Sequence, residues 1–221
     1  MRALRLTLLT MLTAGALGAQ AYNYPALQTP RIVDREYNFA AATGGDAGTS
    51  LIFQWREGLS DDWQLTLEGG LATPKSPPPP FPKLDTRLIV GVGTAWQWVR
   101  AAGDFPLDLA VTDEIGLWSG NANTVIRIPV GVSAGHTFTL DNGSQLTPFV
   151  HPRLSLDNDN CKSCGGTTTK LDVDVDIGLN YEVTPQLGLR VAGLLGGASY
   201  AGSTNAIGFS LAWTPKGLKK F

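Results

Sequence analysis

Between Lys170 and Thr184 apolar and polar residues alternate without a miss. Leu171, Val173, Val175, Ile177, Leu179, Tyr181 and Val183 fall on one side, and Asp172, Asp174, Asp176, Gly178, Asn180 and Glu182 on the other. A period of two is that of a β-strand, whose successive side chains point to opposite faces. One face of this segment needs hydrocarbon and the other needs water. The same alternation recurs near residues 35–43, 49–58, 63–73, 84–100, 107–119, 124–140, 145–156, 187–196 and 206–214, while no useful stretch carries apolar residues at helical spacing. The chain reads as all-β, an antiparallel up-and-down barrel of about ten strands, with eight as the alternative count.

The first residues do not follow this pattern. Arg2 and Arg5 precede an apolar stretch from Leu6 to Leu17, and Ala19 and Ala21 stand where a secretory cleavage site needs small residues. Residues 1–21 therefore read as a cleaved signal peptide, the stretch being shorter than the roughly 20 residues that cross a bilayer. Residues 22–34 follow as a periplasmic N-terminal segment, and 35–221 as the barrel. The chain carries only 16% charged residues and a net charge of −2, with Lys and Arg clustered only at the C-terminus. That composition gives no footprint for nucleic acid.

Alternation alone does not say whether the apolar face points into a core or out into lipid. The opposite face discriminates. On three strands it is built of small residues, Gly91, Gly93 and Ala95, then Gly131, Ser133 and Gly135, then Gly208, Ser210 and Ala212. A solvent-facing surface gives no reason for them, since Gly weakens a strand, whereas a narrow lumen does. Trp55, Trp63, Trp96, Trp98 and Trp213, joined by Phe138 and Tyr181, gather near one set of strand ends, as in the aromatic girdle of a membrane barrel. Short connections at 58–62, 102–104, 141–144 and 185–186 alternate with more variable ones at 44–48, 74–83, 120–123, 157–169 and 196–205. This matches short periplasmic turns and longer external loops.

The last strand, Ile207-Gly208-Phe209-Ser210-Leu211-Ala212-Trp213, resembles the C-terminal signal of bacterial outer-membrane proteins, although the chain continues to Phe221. The chain as a whole is similar to the small porin-like outer-membrane β-barrel proteins, with no individual family singled out. The resemblance implies a place in the bacterial outer membrane, outer-membrane lipid around the wall, and the barrel-assembly machinery as a partner during biogenesis. The protein is expected as a monomer or as part of an envelope complex.

On the lumen side alternation places Glu68, Asp85, Arg87, Glu114, Arg127, His151, Arg153, Asp172, Asp174, Asp176 and Arg190. Both signs are present, and charges withdrawn from water must pair, so these residues are expected to form a plugging network. Asp113 falls on the lipid side unless a bulge shifts the parity. Cys161 and Cys164 are expected to form a disulfide in an external loop. Pro77–Pro80 read as a stiff loop spacer. Pro148 and Pro152, four apart, withhold two ladder donors from one neighbour and predict a seam beside their strand, with Pro129 as a third gap if it faces the same way.

Neither metal nor other cofactor is expected. Omptin proteases pair Asp with Asp and with His, and lipid A deacylases carry His-x-Ser-Asn; the surroundings of His136 and His151 fit neither pattern. The sequence thus favours a non-enzymatic barrel with a structural or surface-binding role and a plugged lumen. A narrow channel, a membrane-embedded hydrolase and a soluble periplasmic ligand-binding barrel are the alternatives.

Overall fold

The computed structural model describes residues 27–44, 48–75, 85–102, 105–121, 123–162, 165–196 and 205–216. The expected signal peptide, the proline run, Cys164 and Phe221 lie outside them. The alternating segments become β1 (Arg35–Gly44), β2 (Gly48–Gly58), β3 (Trp63–Thr73), β4 (Arg87–Val99), β5 (Asp108–Ser119), β6 (Asn123–Gly135), β7 (Phe138–Thr139), β8 (Gln145–Cys161), β9 (Gly166–Thr184), β10 (Leu187–Leu195) and β11 (Ala206–Trp213).

Strand β7 is a two-residue piece that pairs only with the start of β8, and β6 pairs directly with β8. The other ten strands form the wall. Each lies antiparallel to its chain neighbour, and β1 pairs with β11 from Tyr37↔Trp213 to Thr43↔Ile207. The sheet is a closed meander without a free lateral edge, which removes the unpaired backbone row that an open sheet exposes.

The polarity of the wall is inverted relative to a soluble barrel. On β9, Leu171, Val173 and Ile177 are 64%, 56% and 56% exposed, while Asp172, Asp174 and Asp176 between them are 7%, 0% and 0% exposed. Phe39, Leu51, Leu71, Val92, Ile115, Val130, Leu154 and Phe209 continue the exposed apolar band around the ring. Apolar outside and polar inside is the arrangement of a transmembrane barrel, whereas an apolar surface this continuous does not suit a soluble protein. The soluble ligand-binding barrel left open by the sequence does not fit.

Two strands run further than their pattern indicates. The segment expected as an external loop over 157–169 is strand on both arms, with Asp157↔Lys170, Asn158↔Thr169 and Cys161↔Gly166 in register. It reads as loop in sequence because it lacks apolar alternation; beyond a membrane neither face needs to be apolar. The connection between them is consequently only 162–165, as short as 45–47 and 120–122, while those from β3 to β4 and from β10 to β11 remain long.

The prolines interrupt the wall at two interfaces, not one. The β6–β8 register runs from Asn123↔Cys161 to Gly131↔Arg153 and resumes only at Ala134↔Val150, so the pairs at Pro152 and His151 are missing. On its other side β8 pairs with β9 without a gap. Pro129 keeps its place opposite Ser155 of β8; the β5–β6 ladder instead lapses between Asp113↔Val130 and Gly116↔Arg127, which spans the proline.

Candidate functional site: the charged lumen

The inward parity of each strand delivers a line of polar side chains to a water-poor interior. Glu68, Arg87, Glu114, Arg127, His151, Arg153, Asp172, Asp174, Asp176 and Arg190 are all buried there. Asp85 is not. It precedes β4, is exposed, and accepts hydrogen bonds from the backbone N–H of Asn121 (3.0 Å to each oxygen), so it ties two connections together at the rim. Its alternation continued that of Arg87, but the strand begins only at Arg87.

Glu36, Arg56, Asp157 and Asp159 belong to the same interior and were missed in sequence. Parity flags Glu36 and Arg56, which fall on the small-residue side of β1 and β2. Asp157 and Asp159 were hidden in the segment that read as loop.

Three groups of contacts hold the interior. Glu36 accepts from Arg56 (2.9 Å) and, over the intervening β11, from both terminal nitrogens of Arg190 (2.8 and 2.5 Å). Arg127 is paired with Asp157 and reaches past β8 to Asp174 (3.2 Å), which also accepts from Ser155 Oγ (2.8 Å). Arg153 grips Asp176 through two bonds of 2.6 and 2.8 Å. Fork-on-carboxylate geometry is the strong form of such contacts. Gly131 leaves the space, since a Cβ there would stand 2.5 Å from Arg153 Cγ.

Arg153 also fixes the state of His151. Its Nη1 stands 2.8 Å from His151 Nδ1, and a guanidinium can only donate, so Nδ1 is the bare nitrogen. The ring proton is then on Nε2, which donates to Thr112 Oγ1 (2.8 Å), while Asp176 Oδ2 lies 3.9 Å from Nδ1. Thr112, His151 and Asp176 are the residue types of a nucleophile, a base and an orienting acid. A base toward Thr112 would need Nε2 bare, so the trio is set as a clasp from β5 to β8.

Glu68 and Glu114 form a different kind of pair. Both crowd the space over Gly91, where a Cβ would stand 3.0 Å from Glu68 Cγ and would collide with the Glu114 carboxyl, and neither Glu114 oxygen finds a hydrogen-bond partner among the described residues. Gln54 Nε2 adds a bond to Glu68 (2.6 Å). Among the described residues, nine carboxylates (Glu36, Glu68, Asp108, Glu114, Asp157, Asp159, Asp172, Asp174, Asp176) are buried against five arginines (Arg56, Arg87, Arg127, Arg153, Arg190). No group of three or more His, Cys, Asp or Glu among those residues is placed to hold a metal ion.

The N-terminal segment enters the lumen from the short-turn end. Leu27, Gln28, Thr29 and Pro30 are buried, and Arg31 Nε bonds Asp108 (2.6 Å). On the outer surface at the same end, Trp63, Trp96, Trp98, Phe138 and Trp213 are exposed and Trp55 and Tyr181 partly so. Trp63 stacks on Trp96 (6.2 Å between centroids) and Trp213 on Tyr37 (5.5 Å), which adds Tyr37 to the group. Trp118 points inward, with Arg127 over its ring at 5.7 Å. Cys161 is disulfide-bonded.

A closed all-antiparallel barrel with a lipid-type exterior and a charged interior defines the class: a porin-like outer-membrane β-barrel fold. No family model matches the chain, and neither does any curated protein. Among solved structures the chain is similar to LpxR from Salmonella typhimurium, at 9% identity over 81% of this chain and 100% of that one, with a TM-score of 0.47. It is also similar to the KdgM porin, at 9% identity over 81% of this chain and 99% of that one, with a TM-score of 0.39. One of these neighbours is an enzyme and the other a porin. The expectation of a non-enzymatic protein is corrected on this point, because barrels of this general architecture include an enzyme.

Proposed function

We propose that the protein resides in the bacterial outer membrane as a barrel with a largely closed lumen, and that its role is structural or surface-binding. The observation that carries this reading is the set of contacts that reach over an intervening strand: Glu36 to Arg190, Arg127 to Asp174, and Thr112 to His151. Such chords occupy the passage that a solute would need. The tall β8–β9 hairpin, with exposed Thr167, Thr168 and Thr169, supplies a polar surface at the opposite end from the aromatic belt.

A narrow channel is the second reading. It is favoured by a pocket of about 290 Å³ at the short-turn mouth, lined by Ile32, Glu182, Gly188 and the Glu36–Arg190 pair. Planar-bilayer recording on the refolded protein separates the two. The closed reading expects no steady conductance in the parent and steps in an Asp174→Ala, Arg127→Ala double variant. Because buried carboxylates outnumber arginines, those steps should favour cations. A steady open level in the parent would establish the channel.

A further inference from the structure

We infer that the short-turn mouth of the barrel is a binding site for a peptide backbone, occupied in cis by residues 27–34, and that release of this segment opens that mouth. The segment crosses the floor of the barrel from β6 to β2, and the wall bonds its backbone at five positions. Ser133 Oγ donates to the carbonyl of Gln28 (2.8 Å), and Gln97 Nε2 to that of Pro30 (2.9 Å). Gln97 Oε1 accepts from the N–H of Ile32 (3.1 Å), and Gln64 Oε1 from that of Val33 (3.1 Å). The carbonyl of Asp34 accepts from the N–H of Gly58 (2.8 Å).

The partners are supplied largely by side-chain amides and a hydroxyl, and the segment bends at Pro30, Arg31 and Asp34 as it meets them. An amide that offers one donor and one acceptor to a backbone, as Gln97 does, recognises the peptide groups rather than the side chains. Gln64 and Gln97 are 0% and 4% exposed, so without the segment both amides would lose partners in a place with little water. Two contacts add sequence preference: Arg31 with Asp108, and Leu27 beside Gly208 and Leu194. Leu27 holds a φ of 54°, a left-handed backbone that a leucine keeps only where its surroundings impose it. The segment therefore fills a built site and runs directly on into β1.

The test uses the full mature chain with Gln28→Cys, treated with a thiol reagent too polar to cross lipid, and Leu59→Cys in the exposed turn as the control. Barrel formation is checked by heat-modifiable gel mobility. Position 28 should label at least about tenfold more slowly than position 59, since reaction there needs local opening. Ile32→Pro with Val33→Pro removes the two N–H donors without touching the wall, and should bring the rate at position 28 close to the control and raise conductance. A synthetic peptide of residues 27–34 at several millimolar, comparable with the effective concentration of a short tether, should raise labelling of position 28 in the otherwise unaltered chain. Equal labelling at 28 and 59 in that chain, or a rate unmoved by both the proline pair and the peptide, would overturn the inference. The inference rests on the closed-lumen reading only in its conductance arm. Open conductance with position 28 still protected would contradict that reading and leave the peptide site standing.

Discussion

Asp174 is 0% exposed, takes a bond from Arg127 and another from Ser155, and faces no lipid or bulk water. Replacing it by alanine strands part of the Arg127 charge, and removal of one partner of a buried pair costs about 3 to 5 kcal/mol. Asp174→Ala is expected to lower the free energy of unfolding of the reconstituted barrel, read from its urea transition, by an amount of that order. Glu114→Gln makes the opposite case. Its two oxygens are buried beside Glu68 without a hydrogen-bond partner among the described residues, so a neutral amide of the same shape should leave the midpoint unchanged or raise it. A large loss in Glu114→Gln together with none in Asp174→Ala would show that the charges are not arranged as described.

Asp113 is the residue that sits least comfortably in a membrane barrel. It is exposed on the apolar side of β5, and its carboxyl accepts from the backbone N–H and the hydroxyl of Thr94 (3.2 and 3.1 Å). No bulge rescues its parity, since Thr94↔Asp113 and Ala95↔Thr112 are in regular register. A carboxylate on the lipid face is destabilising, though less than a lysine or arginine. Asp113→Leu should therefore raise the free energy of unfolding in lipid by up to about 2 kcal/mol. A fall would mean that a donor beyond this chain reaches the carboxyl.

At the scale of elements, the ten long strands were legible because each has one face that must be apolar and one that must not. Legibility ended where that requirement ended. The outer arms of β8 and β9 are polar on both faces, β7 is too short to show a period, and residues 27–34 make backbone contacts that leave no pattern in side-chain type. The lumen residues were likewise readable as a set, since parity alone places Asp172, Asp174 and Asp176. Their partners were not, because which arginine reaches which aspartate over an intervening strand depends on stagger around the ring. The proline seam was readable because a missing N–H is a property of the residue, but the side on which Pro129 leaves its gap was not. Amide exchange should be faster at Val132 and Ser133, and at Glu114 and Ile115, than along the unbroken β8–β9 ladder. Uniform protection at all three interfaces would mean that the breaks are closed in solution.

For the whole molecule, the central physical claim is inversion: apolar side chains face lipid, and the charges face one another within a closed ring. The balance is plausible only in a membrane, where a continuous apolar band is an advantage and where backbone groups must all be paired within the wall. The most direct measurement places a single spin label in turn at each of residues 171–180 of β9 in the lipid-reconstituted protein and records its accessibility to dissolved oxygen, which concentrates in hydrocarbon. The structure predicts a period of two, high at 171, 173, 175, 177 and 179 and low at 172, 174, 176, 178 and 180. A flat profile, or maxima at the aspartate positions, would contradict it.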